Sequence, residues 1–557
     1  MEQKAGAYRN KNIKLKLLRT VGFWKEGGGL VEHLFFPPLA MGVLFSQLVR
    51  HGYDVTQDDL SMRVHFDHYD KAINARYNLG IFFQEERVRR YIASGVDTEL
   101  ESEIMKMLQD TRLDGVDIFL LSIPESLYNA SNILFAVSLA KFLKKRYSPH
   151  IVVGGHPFSV KLILEQYAIN GVIDYIVVEE GEEAVLDVLE RILQATDGKK
   201  PDEFRIIEKP NKQILIPDFS GLPFDKYDLS FSLGYDYFSS HELVQDFFSS
   251  HTLLLPVQFV KGCPNVCAFC NSSGEGLRSF LGPEEVANGI QALQEKFNPT
   301  GFLFLNDTVN ISGAYIKNVC AAIIKKGMRI LWSDCATVKG LDEEAISKMR
   351  EAGCIRLILG METASPRLLA KVKKGIALAE LERVLQLTAQ YGIWTGIEVI
   401  CGLPYETQDD VRLTVEFLLR NKQYIDRIYC NIFDLRPRSR MFLHPEEYGI
   451  ENIRDINLYS SPNQEGVNKC HYVQFSFDET GGLKWEDKMR QQIDSYNAVV
   501  RATDSLACLP LFIEEHALFY LYSRSNDKET IKEQYRSLVN VFSGHGAHYE
   551  AGMGSKK

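Results

Sequence analysis

Cys263, Cys267 and Cys270 lie in the run Val257-Gln-Phe-Val-Lys-Gly-Cys-Pro-Asn-Val-Cys-Ala-Phe-Cys270, at spacings of four and three. They follow a short apolar stretch that reads as a strand. Three thiolates on one tight loop can hold three irons of a 4Fe–4S cluster and leave the fourth iron open. An open iron can bind a small ligand that brings a nitrogen and an oxygen donor, such as an amino acid's amine and carboxylate. Structural zinc competes for the same residues, but it takes four closed ligands, usually from two paired knuckles. No second Cys-x-x-Cys pair occurs, and the nearest upstream histidine is His251. A loop of inert reduced thiols is the remaining alternative.

The elements after Cys270 read as alternating helices and strands. Pro283 suits the first position of a helix over 284–297. Strands over 301–305, 329–332, 355–359, 395–400 and 428–433 alternate with helices over 342–353 and 378–391. Thr407-x-x-Asp410 is a capping box that opens a further helix. This gives about six βα units, fewer than a closed barrel needs, and catalysis in such barrels sits at strand C-ends. Asn306 and Asp307, Ser333 and Asp334, Gly360 to Glu362, and Gly402 to Pro404 all fall at such ends. Asp334 and Cys335 face the same mouth and could act on a substrate, although a buried structural Cys is commoner. Cys354, Cys401 and Cys430 read as core.

Upstream, strands over 13–18, 53–55, 116–122, 150–157 and 172–178 alternate with helices near 39–52, 130–146 and 183–195. That alternation implies a parallel sheet covered by helices. Glycine turns at strand C-ends place a ligand at that edge. The candidates there are Ser122, Gly154, Gly155, His156, Glu180 and Gly181. A flavodoxin-like domain that binds nothing would show similar turns. Residues 58–110 are polar and read as an insertion without assigned chemistry.

The chain has 557 residues, 45% hydrophobic and 24% charged, enough for several domains with a large core. Its net charge of −10 argues against general nucleic-acid binding. No apolar run approaches the ~18–20 residues of a membrane span, and the start, Met1-Glu-Gln-Lys, carries no apolar leader. Ten cysteines without even spacing fit a reducing cytoplasm rather than a secreted scaffold.

The cysteine loop resembles the signature Cys-x-x-x-Cys-x-aromatic-Cys of the radical S-adenosylmethionine (SAM) family, with Phe269 as the aromatic. The resemblance covers roughly 250–450. It implies that the open iron chelates the methionyl group of SAM and that an electron from the cluster yields a 5′-deoxyadenosyl radical. Met361-Glu-Thr-Ala-Ser365 resembles the family's Gly-Ile-Glu-Ser motif. By that match Glu362 contacts the SAM ribose or amine; a surface salt bridge is the alternative. Asn306 and Asp307 occupy the place where the family binds the SAM amine, although the usual Gly-Gly-Glu is absent. Gly402 and Leu403 match the segment near adenine, where backbone would pair with the base and Leu403 would pack on it. A helix-opening turn is equally consistent with those letters.

Residues 13–200 resemble the cobalamin-binding domain found before many radical SAM cores. The matching residues are Pro37-Pro-Leu39 with Gly42, the strand ending at Ser122, Gly154-Gly-His-Pro157 and Glu180-Gly-Glu182. The family more often has Gly where Glu179 stands. The Asp-x-His-x-x-Gly element that supplies a cobalt ligand elsewhere is missing, so the resemblance implies base-off cobalamin without a histidine lower ligand. His156 is then a turn residue bonded to backbone or a cofactor neighbour.

The expected organisation is α/β. A flavodoxin/Rossmann-like cobalamin-binding domain covers 1–200 and a linker 201–248, where Leu222-Pro-Phe resembles the family's connector. A partial (β/α)6 radical SAM core covers 249–450, and a mostly helical C-terminal region 451–557, with helices near 485–506 and 526–542 and a disordered tail over 544–557. The resemblance implies a C-methyltransferase acting on an unactivated carbon in specialised metabolism. Hydrogen abstraction by the radical precedes transfer of a methyl group from methylcobalamin, which a second SAM restores. A cyclase or rearrangement enzyme, and a non-catalytic cobalamin or redox sensor, are the alternatives. Expected partners are a small-molecule or peptide substrate and an electron donor such as flavodoxin or ferredoxin.

Overall fold

Leu15, Leu17 and Leu18 are buried, which is why the first strand ends up inside a sheet rather than at its edge. The computed structural model describes residues 13–24, 29–30, 36–69, 77–124, 130–155, 171–178, 180–194, 205–208, 213–227, 242–250, 252–272, 276–455, 475–503, 508–509 and 511–554. The chain divides into two compact units, one reaching to Leu253 and the other running from Leu254 to His545.

The first unit is built on β1 (Lys14–Arg19), β2 (Asp54–Asp59), β3 (Ile118–Ser122), β4 (His150–Gly155), β5 (Tyr175–Val178) and β6 (Arg205–Glu208). Their order is β2-β1-β3-β4-β5-β6, with every pairing parallel. The order reverses between β1 and β3, and open α/β sheets bind ligands beside the strand C-ends at such a reversal. The helix Leu39–Arg50 closes at Gly52, whose φ of 76° needs a residue without Cβ.

Residues 58–110, expected as an insertion, pack into the core of this unit. They carry the end of β2 and the helices Leu60–Tyr69, Glu85–Ser94 and Thr98–Met107. Leu60, Val64, Val88, Tyr91 and Ile104 join Phe119, Phe135 and Val137 in one apolar cluster. The segment is polar on average but apolar on one helical face, and that face covers the sheet. The stretch over 201–248 is likewise more than a linker, because β6 extends the sheet. Gln57 Nε2 donates to the carbonyls of Asp218 (2.8 Å) and Ser220 (2.9 Å), and Asp218 N–H donates to Gly42 O (2.9 Å). A side chain at Gly42 would overlap the Phe219 ring, so Gly42 serves this connector.

The second unit opens with β7 (Leu254–Val257) and an antiparallel ribbon, β8 (Val260–Gly262) with β9 (Leu277–Phe280). Then come β10 (Gly301–Phe304), β11 (Trp332–Ala336), β12 (Cys354–Glu362), β13 (Trp394–Cys401) and β14 (Arg427–Ile432). They pair in parallel in the order β14-β13-β12-β11-β10-β7, the expected partial barrel. The third strand begins at Trp332 instead of ending there. Trp332 is buried against Phe304 (ring centroids 5.0 Å) and its indole N–H donates to Ala352 O, while Ser333 to Ala336 continue the ladder with β12. Thr407 and Asp410 form the expected capping box, and Pro283 stands at the start of its helix.

The C-terminal region is helical, with Trp485–Thr503, Leu511–Arg524 and Lys528–Gly554. The last helix runs through residues read as a disordered tail. A two-stranded ribbon, Ile450–Asp455 with Phe475–Glu479, was not expected. Among the described residues, no helix is long and apolar enough to cross a membrane.

Candidate metal and cofactor site

The cysteine loop is held by residues at the ends of the neighbouring strands. Asn306, just after β10, accepts the backbone N–H groups of Phe259 (2.9 Å) and Val260 (2.8 Å) on Oδ1. Its Nδ2 donates to Asp334 Oδ2 at 2.6 Å. Asp307 accepts Gly262 N–H at 2.6 Å and the hydroxyl of Ser272. Burial pushes the Asp334 carboxyl well above the usual carboxylate range, which its bonds to Asn306 and Cys335 N–H oppose. Downstream of Cys267, Ala268 N–H donates to Val372 O (2.8 Å), and Met441 N–H donates back to Ala268 O (2.9 Å). Gly262 has φ 82°, and a side chain there would overlap the Gly276 carbonyl.

The Asn306 and Asp307 side chains thus hold the backbone that leads into the cysteine loop. Asn306→Ala is expected to leave two buried N–H groups unpaired, a cost of about 1–3 kcal/mol each. Iron content of the anaerobic protein should fall and its thermal midpoint should drop. Full iron content with loss of SAM cleavage alone would instead assign Asn306 to SAM.

Cys263, Cys267 and Cys270 are in no disulfide, the first two buried and the third half-buried. Burial pushes the Cys267 thiol up to about 11; Lys374 opposes this, while Glu362, Cys270 and Cys263 add to it. The three sulfurs thus sense one another, and a thiol so raised becomes a thiolate when a metal replaces its proton. Asn265 Nδ2 donates to Cys263 Sγ at 3.3 Å. Three thiols on one loop are the donor set of a 4Fe–4S cube, each on a different iron, with the fourth iron left open.

Glu362 ends β12 at a register shift between Gly360 and Glu362, and its φ is 68°. Such a conformation in a residue with Cβ is strained and persists only where its surroundings impose it. The bulge aims the carboxylate at Lys374, whose Nζ lies 2.7 Å from Glu362 Oε1. The pair is buried, so Glu362 is not a solvated surface carboxylate. A side chain at Gly360 would collide with both charged groups. Lys374 also lies 5.7 Å from the Phe269 ring centroid. Burial pulls its ammonium down, and the nearby Glu362, Cys267 and Glu398 together outweigh that and leave it raised. Sequence reasoning missed Lys374; the available signal was the basic run Lys371-Val-Lys-Lys374 shortly after the Glu362 motif.

Gly402 and Leu403 are already engaged. Gly402 N–H donates to Glu406 (2.9 Å), and its carbonyl accepts from Gln492 Nε2. The Leu403 carbonyl accepts Lys488 Nζ at 2.7 Å, and its side chain lies in an apolar cluster with Ala268 and Phe433. The helix Trp485–Thr503 supplies both donors, out of reach of any local reading.

In the first unit, register brings Arg19 beside Ser122, Ser122 beside Gly154, and Gly155 beside Val178. Glu180 and Gly181 follow β5 at the same edge, so five of the six candidates share it. His156 lies outside the described residues. Gly155 is already closed in by Ile123 (3.1 Å from a Cβ), and Gly181 by Leu44 (3.1 Å), so their small size serves the chain itself. Ser122 stands half-buried at the β1/β3 reversal, where a flat cofactor fits.

Residues 257–418 match the radical SAM superfamily. An uncharacterized methyltransferase of Pyrococcus horikoshii is 26% identical over 327 residues, 57% of this chain and 67% of that protein. The anaerobic magnesium-protoporphyrin IX monomethyl ester cyclase of Rubrivivax gelatinosus is 29% identical over 160 residues. That match spans 28% of this chain and only 29% of the cyclase. The radical SAM methyltransferase TsrM of Kitasatospora setae, solved with cobalamin and a 4Fe–4S cluster, has TM-score 0.57 and 16% identity, covering 95% of this chain and 100% of that one. OxsB, a cobalamin-dependent SAM radical enzyme solved with aqua-cobalamin and SAM, has TM-score 0.53 and 13% identity, covering 98% and 82%. At these identities the structural likeness is one of fold. Residues 257–418 thus match a radical SAM domain, in a chain that shares the fold of TsrM and OxsB.

Proposed function

We propose that the chain is a cobalamin-dependent methyltransferase that places a methyl group on an unactivated carbon of a small molecule or peptide. The observation that carries this is the held loop of three cysteines beside the buried Glu362–Lys374 pair, in a chain whose other unit is a parallel sheet with a reversal at its ligand edge. When bound, the cluster supplies the electron that cleaves SAM, and the corrinoid supplies a transferable methyl group.

The chain's own residues do the positioning. Asn306 and Asp307 fix the cluster loop from its backbone. Lys374 aims the Glu362 carboxylate, so that Glu362 can accept from a SAM hydroxyl or ammonium. Ser122 and the β4 turn border the corrinoid. We assign the segment up to Leu253 to corrinoid binding, 254–450 to SAM chemistry, and the C-terminal helices to closing the barrel. The electron comes from a donor such as flavodoxin or ferredoxin. The likeness to a cyclase supports ring closure as the second reading.

Anaerobic turnover of a cell extract with SAM and methylcobalamin, followed by mass spectrometry, separates these. Methylation yields S-adenosylhomocysteine and 5′-deoxyadenosine together with a product heavier by one methylene. Ring closure yields 5′-deoxyadenosine without S-adenosylhomocysteine, and a sensor yields neither.

A further inference from the structure

Lys16 places an ammonium inside the first unit with too little negative charge around it. It is the third residue of β1, in register with Thr56 on the edge strand β2, and its side chain is only 6% exposed. Its Nζ lies 3.9 Å from Asp58 Oδ2, beyond hydrogen-bond reach. That carboxylate is already shared. Arg63 Nε donates to Oδ1 at 2.9 Å, and the Thr111 hydroxyl donates to Oδ2 at 3.3 Å. Arg112, exposed in the loop before β3, adds a third cation and has no ion pair among the described residues. Burial pulls the Lys16 ammonium down, Asp58 opposes this, and Arg63 and Arg112 add to the pull.

The three cations line one cavity of about 490 Å³ beside β2, together with Phe45, Asp58 and Asp110. Three positive charges thus face two carboxylates, and Asp110 is exposed to solvent. An ammonium withdrawn from water without a bonded acceptor is costly. A phosphate removes that cost, because its oxygens accept from a lysine point charge and from the fork of an arginine at once. The cavity has the size of a small-molecule site. Lys16 stands three residues before the C-end of β1, about 10 Å along the strand from the edge that borders the corrinoid.

We propose that Lys16 and Arg112, with Arg63 beside them, form a second ligand site in the first unit, which takes a phosphate dianion, free or as the monoester of a small molecule. It is separate from the edge assigned to the corrinoid.

The test uses the full chain, reconstituted with its cluster and saturated with hydroxocobalamin so that the corrinoid edge is filled. Phenyl phosphate, phenol and inorganic phosphate are titrated under argon by calorimetry above neutral pH. Charge-assisted hydrogen bonds predict that phenyl phosphate binds at least tenfold more tightly than phenol. Lys16→Met and Arg112→Ala should each weaken phenyl phosphate about tenfold and leave phenol unchanged. If Lys16→Met does not fold, Arg112→Ala carries the test, since its side chain is exposed and its loss leaves the core intact. Inorganic phosphate as tight as phenyl phosphate assigns the site to free phosphate, and a tighter phenyl phosphate assigns it to a monoester. Equal affinities for phenyl phosphate and phenol, or a preference that survives in either folded variant, would overturn the proposal. So would phosphate binding that hydroxocobalamin abolishes, which would make the site part of the corrinoid's own. A protein that takes up no corrinoid defeats the function proposed above instead, and the same titration still decides this inference.

Discussion

Cys267→Ala is expected to abolish cluster loading and with it all reductive cleavage of SAM. Iron and acid-labile sulfide should fall to background after anaerobic reconstitution, and 5′-deoxyadenosine should be undetectable. The expected effect is total because two thiolates on one loop cannot hold a cube whose fourth iron must stay open. Folding should survive, since Ala268 N–H and O remain bonded to Val372 and Met441. The substitution also removes a buried thiol that is raised by burial and depends on the metal for its charged form. Retained 5′-deoxyadenosine formation would reject the ligand assignment.

The second large effect is expected at Lys374. Its partner Glu362 is 5% exposed, and Glu398 adds negative charge nearby. Lys374→Met strands a buried carboxylate, and breaking such a pair costs about 3–5 kcal/mol. The strained turn at Glu362 should then relax, and SAM binding should weaken by about tenfold or more. Adding Glu362→Gln to Lys374→Met removes the stranded charge. The thermal midpoint should recover in this double variant while SAM cleavage stays lost. Recovery of both would show that the pair only maintains the fold, and recovery of neither would show that Lys374 does more than compensate Glu362.

These two residues differ in how they could be read from sequence. The cysteines announce themselves because all three ligands fall within one short loop, where spacing carries the chemistry. The alternation of strands and helices was legible for a related reason: parallel strands buried on both faces are apolar runs bounded by turn residues. Lys374 was hidden because its meaning depends on a bulge that turns Glu362 toward it. The position of Asn306 at a strand end was legible, whereas its bond to Phe259, 47 residues upstream, was not. Gly402 and Leu403 were read from a local turn, whereas their carbonyls meet Gln492 and Lys488 from a helix far along the chain. Residues 58–110 misled by their average polarity, since only one face of each helix enters the core. The tail after Gly544 misled by its small residues, which the last helix nonetheless includes.

The most direct measurement is the EPR spectrum of the anaerobically reconstituted, dithionite-reduced protein, taken with and without SAM. The account predicts a reduced 4Fe–4S signal from a protein holding about four irons, with a shifted spectrum once SAM occupies the open iron. An absent signal, or a cluster spectrum that SAM leaves unchanged, would contradict it.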